Sequence, residues 1–224
     1  MDRENVFKSY QLDPDPHGSI KFQLQEMPKF FADNGRGPKE PHIHTFYQII
    51  WFRRGHGSHF VDFKEYPVTD NTLFFLSPGQ VHYFEENDDF EGYVIHFNED
   101  FMSDEGSSEN VFLKYNLFNA FDAVPYYNMT EADTERLEYI VSEMKAELEN
   151  ETVFAHGDVL KYLIKLFLIH VQRLGIRGTG IPLCINNSSN RTFVRFRQML
   201  EHHYRDIHTV KEYASMLNVS TKTL

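Results

Sequence analysis

The repeat of hydrophobic residues changes its period near Pro125, and this change constrains the fold more than any other feature of the chain. Between Ile20 and His96, short segments alternate apolar and polar residues or form dense aromatic and β-branched runs, which predicts strands. Glycine-containing turns such as Arg53–Ser58 separate them, as in hairpins. Several short strands at this spacing indicate an antiparallel sandwich or barrel. After Pro125 the spacing becomes helical, so we predict an α+β chain.

Two helices are predicted directly after the strands. The first opens at Thr130, with Asp133 three residues later as in a capping box. The second is predicted from Val153 to Leu174, with Gly175 ending it. Its apolar residues cover more than one face, so we expect the β domain to cover one side and a second protomer the other. The residues that we predict to form this dimer interface are Leu160, Leu163, Ile164 and Phe167.

Composition limits the compartment and the chemistry. The chain has 224 residues, of which 15% are aromatic, and a single cysteine, Cys184, so an internal disulfide framework is excluded and a reducing compartment is expected. The N-terminus shows no apolar signal region, and the longest apolar stretch, Tyr162–Val171, is short and contains Lys165. We therefore predict a cytoplasmic protein without a membrane partner.

Charge is distributed unevenly along the chain. The formal net charge is −11, yet residues 186–224 contain six basic and three acidic side chains. A Gly-, Ser- and Asn-rich segment, Gly175–Asn190, precedes them and has the composition of a linker. A basic nucleic-acid module attached to an acidic body would give this asymmetry. An ordinary surface helix would also give it, so charge alone leaves both interpretations open.

The last residues have the pattern of a helix-turn-helix. A helix is predicted from Asn190 to Tyr204 and a short one from about Thr209 to Leu217. Asn218 lies in the predicted turn, where a left-handed backbone is tolerated by Asn. Ser220 would then cap a new helix, the one that enters the major groove of DNA. The alternative on this stretch alone is a C-terminal helical tail.

The segment "TVKEYASMLNVSTKTL" resembles the first helix-turn-helix of AraC/XylS-type bacterial transcription regulators. The segments "HTFYQIIWFRRGHGSHFVDFKEYPV" and "LFFLSPGQVHYF", leading into "GYVIHFNEDFM", resemble the cupin-type sensor domain of the same family, in the same order. The resemblance implies a cupin-like antiparallel β-barrel that binds an effector, a dimerising helical pair and a domain that reads promoter half-sites. It divides the chain into a sensor barrel (1–125), a dimerising helical pair (126–175), a linker (176–190) and an incomplete helix-turn-helix domain (191–224).

This chain differs from the AraC/XylS pattern in one respect. Such regulators carry two helix-turn-helix units, and here the sequence stops about five residues into the first recognition helix. We therefore expect promoter DNA to be a partner of a longer form of the protein and not of this fragment. The residues predicted to meet DNA are Ser220, Thr221 and Lys222. The resemblance also implies a homodimer and a small-molecule effector, such as a sugar.

Two histidines spaced i, i+2 raise the question of a metal site. On a strand, His42 and His44 share one face with Gln48, and His82 follows a Pro-Gly turn as in the cupin pattern. Cupins place a glutamate where this chain has Gln48, and a neutral amide is a poor ligand beside imidazoles. Three interpretations stay open: a metal held by the three histidines, groups that bind a small polar effector, or histidines without a ligand.

Other side chains complete the predicted effector site. Trp51 and Tyr93 are candidate ring walls for a sugar or aromatic ligand, and His96 lies on a strand whose face the sequence does not determine. The predicted ligand-binding set is His42, His44, Gln48, Trp51, His82, Tyr93 and His96. His56 and His59 flank a glycine turn and are predicted to face solvent. We expect no cofactor and no enzymatic activity; the alternative is a metal-dependent cupin enzyme, such as a dioxygenase or isomerase.

Overall fold

The structure is a computed structural model. The structure describes residues 7–12, 22–85, 89–103, 117–118, 125–150, 152–179, 192, 195–196, 199–200 and 203–224. Strands dominate up to residue 97, and long helices follow residue 130. The predicted α+β class is therefore confirmed. Most of the predicted helix from Asn190 to Tyr204, and the linker beyond residue 179, lie outside the described residues.

Within the described residues, ten strands form two five-stranded sheets. The strands are β1 (Lys8–Tyr10), β2 (Phe22–Glu26), β3 (His42–His44), β4 (Tyr47–Arg54), β5 (Gly57–Val61), β6 (Lys64–Val68), β7 (Thr72–Leu76), β8 (His82–Phe84), β9 (Glu91–Phe97) and β10 (Tyr126–Asn128). Sheet A has the order β1-β3-β8-β5-β6, and sheet B has the order β10-β7-β4-β9-β2. Every described pair is antiparallel except β1 with β3.

The central strand of sheet B, β4, supplies both layers of the core. Ile50 and Phe52 face sheet A, where the Phe52 ring lies 6.0 Å from the ring of Phe84 on β8. Ile49 and Trp51 point to the opposite face and belong to the cluster formed with the long helices. Successive side chains of a strand alternate between faces, so a strand covered on both sides is apolar at nearly every position.

A short helix interrupts the region that the sequence predicts to be entirely β. Helix α1 spans Met27–Asn34 and follows β2 without a loop. Pro28 occupies its first turn, where a missing N–H is harmless, and Phe30 and Phe31 are buried. The prediction of a purely β region is therefore wrong here. Eight residues are too few for a helical period to stand out beside strongly β-forming neighbours.

Helices α3 (Glu131–Leu148) and α4 (His156–Thr179) pack together on the outer face of sheet B; a four-residue helix, α2 (Glu99–Met102), follows β9. Thr130 is the N-cap of α3, but its hydroxyl donates to the Asp133 carboxylate and makes no cap hydrogen bond to the backbone, so the predicted capping box is not formed. The prediction that Gly175 ends the second helix is wrong, because α4 continues to Thr179. Glycine inside a helix costs only about 1 kcal/mol, which neighbouring helix formers can offset.

The predicted dimer residues belong to the core of one protomer. Leu160, Ile164 and Phe167 are fully buried against sheet B and α3, and Leu163 packs at the edge of the same cluster. Because Leu160, Ile164 and Phe167 are already covered within one protomer, their assignment to an interface between protomers is corrected. Leu163 is only partly buried, and its assignment stays a prediction. Among the α4 residues whose burial is described, the exposed large apolar ones are Val159, Tyr162 and Leu166.

The C-terminal segment folds as a capped helix followed by a turn. Helix α5 spans Val210–Met216, and the Thr209 hydroxyl accepts a hydrogen bond from the Glu212 N–H. The helix ends in a Schellman motif, in which Val219 N–H donates to the Ala214 carbonyl at 3.0 Å. Asn218 has φ 53°, the left-handed backbone that the sequence predicts. The Ser220 hydroxyl then accepts from Thr223 N–H at 3.1 Å, as a cap does.

Gln172 of α4 provides a test of the packing. Its amide nitrogen and oxygen are buried, and neither has a hydrogen-bond partner within the described structure. Burial of an unpaired amide destabilises the fold, so we expect Gln172→Leu to raise the free energy of unfolding by about 1 kcal/mol in urea titrations. Gln80→Leu is the matched control and should lower it, because the Gln80 amide bonds to Ser77 and Asp62. A loss of stability in Gln172→Leu would contradict this account of the helix.

Candidate functional site

The interior between the two sheets is apolar at one end and polar at the other. Phe52, Phe74, Phe84 and Phe90 fill the apolar end. At the polar end lies a cavity of about 290 Å³. Its walls come from the N-terminal segment, β2, α1, β3, β4 and β9, through Tyr10, Gln11, Leu12, Gln23, Gln25, Phe30, Asp33, Asn34, Pro38, His42, His44, Phe46, Gln48 and His96. This cavity is the candidate ligand site.

Main-chain contacts determine which nitrogen of each β3 histidine carries its proton. Nδ1 of His42 lies 2.8 Å from the Glu40 carbonyl oxygen, and Nδ1 of His44 lies 2.6 Å from that of Phe46. A carbonyl oxygen can only accept, so both Nδ1 atoms carry protons. In the neutral ring Nε2 is then an acceptor. Each imidazole is thus locked in one tautomer and presents a lone pair on the side away from its own strand.

The Gln48 side chain bridges the two sheets. Its amide atoms lie 3.0 Å from Nε2 of His44 in sheet A and 2.9 Å from Nε2 of His96 in sheet B. As placed, Oε1 of Gln48 faces His44 and its Nε2 faces His96. Because Nε2 of neutral His44 is an acceptor, we assign the amide in the flipped orientation, with its NH₂ donating to His44 and its oxygen accepting from an N–H of His96. A glutamate here would lack the donor that His44 requires. Gln48 therefore suits neutral histidines and not a cation.

Burial keeps the site histidines uncharged. It is the main cause that lowers the pKa of His44 to about 4 and that of His96 to about 3, and it also lowers the pKa of His42. The carbonyl hydrogen bonds of His42 and His44 oppose this effect only partly. No Lys or Arg is among the described residues that line the cavity. The site is therefore a set of neutral donors and acceptors, with Asp33 as its one carboxylate.

His82 and His59 form a second buried pair behind the cavity. Nε2 of His59 lies 3.1 Å from Nδ1 of His82, and burial lowers the pKa of both rings, to about 3 for His59. The prediction that His59 faces solvent is wrong, because the register of β5 turns it inward to stack on Phe84 at 4.8 Å. His56 is exposed as predicted.

The cupin-type metal set does not fit this arrangement. His82 lies close to the β3 histidines, with ring centroids 4.2 Å from His42 and 4.9 Å from His44. Nε2 of His44 is engaged by Gln48, however, so a metal ion would have to displace that amide. Nδ1 of His82 contacts His59, and its Nε2 has no hydrogen-bond partner among the described residues. Within the described part of the chain, no group of three or more His, Cys, Asp or Glu residues is arranged to hold a metal ion. We therefore derive no metal chemistry from these residues.

The structure divides the predicted ligand residues by face. His42, His44, Gln48 and His96 line the cavity, and His82 touches the β3 histidines from behind. Two assignments are corrected: Trp51 and Tyr93 lie on the other face of sheet B, where the Trp51 ring packs 6.1 Å from Phe167. The alternation along β4 and β9 gives the reason, since Trp51 and Gln48 differ by an odd number of residues.

Several cavity residues were missed by sequence reasoning. Gln23 and Gln25 alternate on β2, and the same period-two pattern could have identified them as one polar face. Tyr10 and Phe30 join the site only because β1 pairs with β3 and α1 folds over the cavity. These are long-range contacts that carry no local signal.

Comparison with known proteins agrees with this geometry. Residues 33–163 match the family model for the AraC-like ligand binding domain. The match covers more than half of the chain, so the chain belongs to this family, and the resemblance to AraC-type regulators with a sensor domain is confirmed. No curated protein gave a significant match.

Two solved structures are similar over most of the chain. A ToxT variant from Vibrio cholerae in its apo form has a TM-score of 0.46 and 11% identity, covering 91% of this chain and 72% of that one. The AraC-like transcriptional activator CuxR has a TM-score of 0.35 and 12% identity, covering 91% and 65%. Among the described residues, no helix is both long and apolar enough to cross a membrane.

The buried histidines predict a specific dependence of stability on pH. The folded-state pKa values of about 4, 3 and 3 for His44, His59 and His96 lie below the ordinary value of 6.5. Below pH 6.5 these histidines bind protons in the unfolded chain but stay neutral in the folded chain. The free energy of unfolding should therefore be highest above pH 6.5. It should fall by about 1.4 kcal/mol per pH unit for each histidine as the pH approaches 4.

Urea titrations between pH 7.5 and pH 5, about one unit above and one and a half units below the ordinary histidine value, measure this effect. His59→Phe, which keeps the stacking on Phe84, should make the decline less steep. His56→Gln is the matched control at an exposed position and should leave it unchanged. An unfolding midpoint that stays constant over this range would contradict the buried neutral state.

Proposed function

We propose that this chain senses a small uncharged effector for an AraC-type transcription regulator and has no catalytic role. The observation that carries the proposal is the cavity between the sheets, with its locked neutral imidazoles and the Gln48 bridge. No pairing of a nucleophile with a base was found in the sequence. The membership of the chain in the AraC-like ligand binding domain family supports the same conclusion.

The cavity walls define the class of effector. Nε2 of His42 is an acceptor, and the amides of Gln23 and Gln25 offer both donors and acceptors. The rings of Phe30 and Phe46 provide apolar faces. Without a basic side chain in the described lining, a carboxylate would be buried unpaired, which is costly. A polyhydroxyl compound such as a sugar fits this set of groups.

Contacts from the cavity walls to α3 suggest how binding is transmitted. Glu26, at the end of β2, pairs with Lys145 of α3. Arg53, at the end of β4, donates to Glu138 of α3 at 2.6 Å and also to Asn71. We propose that the effector changes the position of the helices, or of the N-terminal segment that carries Tyr10, by binding one arrangement more tightly than the other.

We further propose that the chain forms a homodimer through the outer face of α4. Val159, Tyr162 and Leu166 follow one another at helical spacing and are 37%, 66% and 42% exposed. Val153 and Phe154, also exposed, extend the apolar stripe before the helix. An exposed apolar stripe of this kind suits an interface with a second copy of the same surface.

DNA binding is proposed for the C-terminal segment. The Schellman turn at Asn218 and the cap at Ser220 are followed by a single hydrogen-bonded turn, which supports its assignment as the first turn of a second helix. In a helix-turn-helix this second helix enters the major groove. Ser220, Thr221 and Lys222 would then be its first contacts with promoter DNA.

The effector site can be tested with a ligand found by thermal-shift screening of sugars and polyols. We expect the double variant His42→Ala and Gln48→Ala to weaken binding by tenfold or more, about 1.4 kcal/mol, in calorimetry. Tyr93→Phe is the control from the opposite face of sheet B and should bind normally. Normal affinity in the double variant, or loss only in Tyr93→Phe, would place the site elsewhere.

The dimer interface can be tested by sedimentation. We expect the wild-type chain to be dimeric at tens of micromolar, a range typical of modest interfaces, and Leu166→Asp to be monomeric but folded. Ser142→Asp puts the same charge on the exposed face of α3 and should remain dimeric. Ile164→Asp should unfold the chain, because Ile164 is fully buried. A monomeric wild-type chain would disprove the interface.

A further inference from the structure

A second groove lies on the solvent side of the α3–α4 pair, away from the cavity between the sheets. It encloses about 660 Å³. Its walls combine the first turns of α3 with the later turns of α4, through Ala132, Asp133, Glu135, Arg136, Tyr139, His170, Arg173 and Leu174. The effector site proposed above does not use any of these residues.

Two arginines in this groove keep their hydrogen-bond donors available. Arg136 and Arg173 are exposed, and neither has an ion pair or a hydrogen bond among the described residues. Arg53, by contrast, is paired with Glu138. A guanidinium has five N–H donors in a fork that matches the oxygens of a carboxylate or phosphate. Two unpaired guanidinium groups that line one groove favour the binding of an oxyanion.

The acidic residues of the groove do not neutralise these arginines by direct pairing. Asp133 accepts a hydrogen bond from the Thr130 hydroxyl at 2.6 Å in the first turn of α3, where the helix dipole favours a carboxylate. Glu135 makes no ion pair with either arginine within 4.0 Å. Tyr139, with its ring 66% exposed, adds an aromatic edge and a hydroxyl group.

His170 lies within electrostatic range of both arginines. Burial lowers the pKa of its imidazole first, and the charges of Arg136 and Arg173 lower it further. Both guanidinium charges therefore act on the same imidazole, although Asp133 and Glu135 also line the groove. A bound anion would reduce this repulsion and raise the pKa of His170, so the ring reports on occupancy.

We propose that the groove formed by Arg136, Tyr139, His170 and Arg173 is a second binding site, which takes a small multivalent oxyanion. The shared chemistry is two or more negative oxygens that both guanidinium groups can hold at once. A phosphate and a polycarboxylate both have this chemistry. Because α3 and α4 supply one arginine each, a bound anion would also link the two helices.

Titration with inorganic phosphate and, separately, with citrate at constant ionic strength tests the site. We expect one or both anions to raise the melting temperature of the wild-type chain to a saturating value. Saturation with phosphate alone identifies a phosphate site, and saturation with citrate alone identifies a carboxylate site. In each case the NMR titration of the His170 ring should show a raised pKa when the anion is bound.

Substitutions separate this site from general salt effects. Arg136→Gln and Arg173→Gln should each lower the affinity for the saturating anion by about tenfold, because each removes one guanidinium group. Arg54→Gln removes a similarly exposed arginine that faces Glu91 and should bind as the wild type does. The proposal would be overturned if neither anion gave a saturating rise in melting temperature, or if all three variants bound the anion equally well. An unchanged pKa of His170 in the presence of the anion would also overturn it.

Discussion

The alternation of side chains along β4 is the constraint on which the rest of the structure depends. Gln48, Ile50 and Phe52 point between the sheets, while Ile49 and Trp51 point toward the helices. One strand thus determines what fills the interior and what packs beneath α3 and α4. A shift of one residue in its register would exchange these two sets. Its pairing with β7 on one side and β9 on the other makes such a shift costly.

Within that interior, the neutral state of the histidines follows from their partners. The Nδ1–H of His44 donates a hydrogen bond to the Phe46 carbonyl, so Nε2 of the neutral ring can only accept. Gln48 is the side chain next to Nε2, and its amide is able to donate. The same amide reaches His96 on the opposite sheet. The polar end of the interior is therefore held together by hydrogen bonds between uncharged groups. A ligand that entered it would have to bind through hydrogen bonds to the same uncharged groups.

The sequence predicts much of this architecture, and the predictions that are wrong have a common cause. The period-two pattern correctly places His42, His44 and Gln48 on one face, and the turn residues correctly predict the left-handed backbone at Asn218. Local patterns do not show which partner covers a face. Trp51 and Phe167 are strongly apolar whether they line a pocket, pack in a core or form an interface. Only the long-range pairing of strands and helices decides among these outcomes.

The two faces of α4 would connect the proposed effector site with the proposed dimer interface. Its inner face packs Phe167 against Trp51, which shares β4 with Gln48 of the effector site. Its outer face carries Tyr162 and Leu166, which are exposed. Close-packed cores deform little and transmit small displacements to the elements that contact them. An effector that changes the position of β4 relative to α4 would thus act on the outer stripe through a single layer of side chains, provided that it binds one arrangement better than the other.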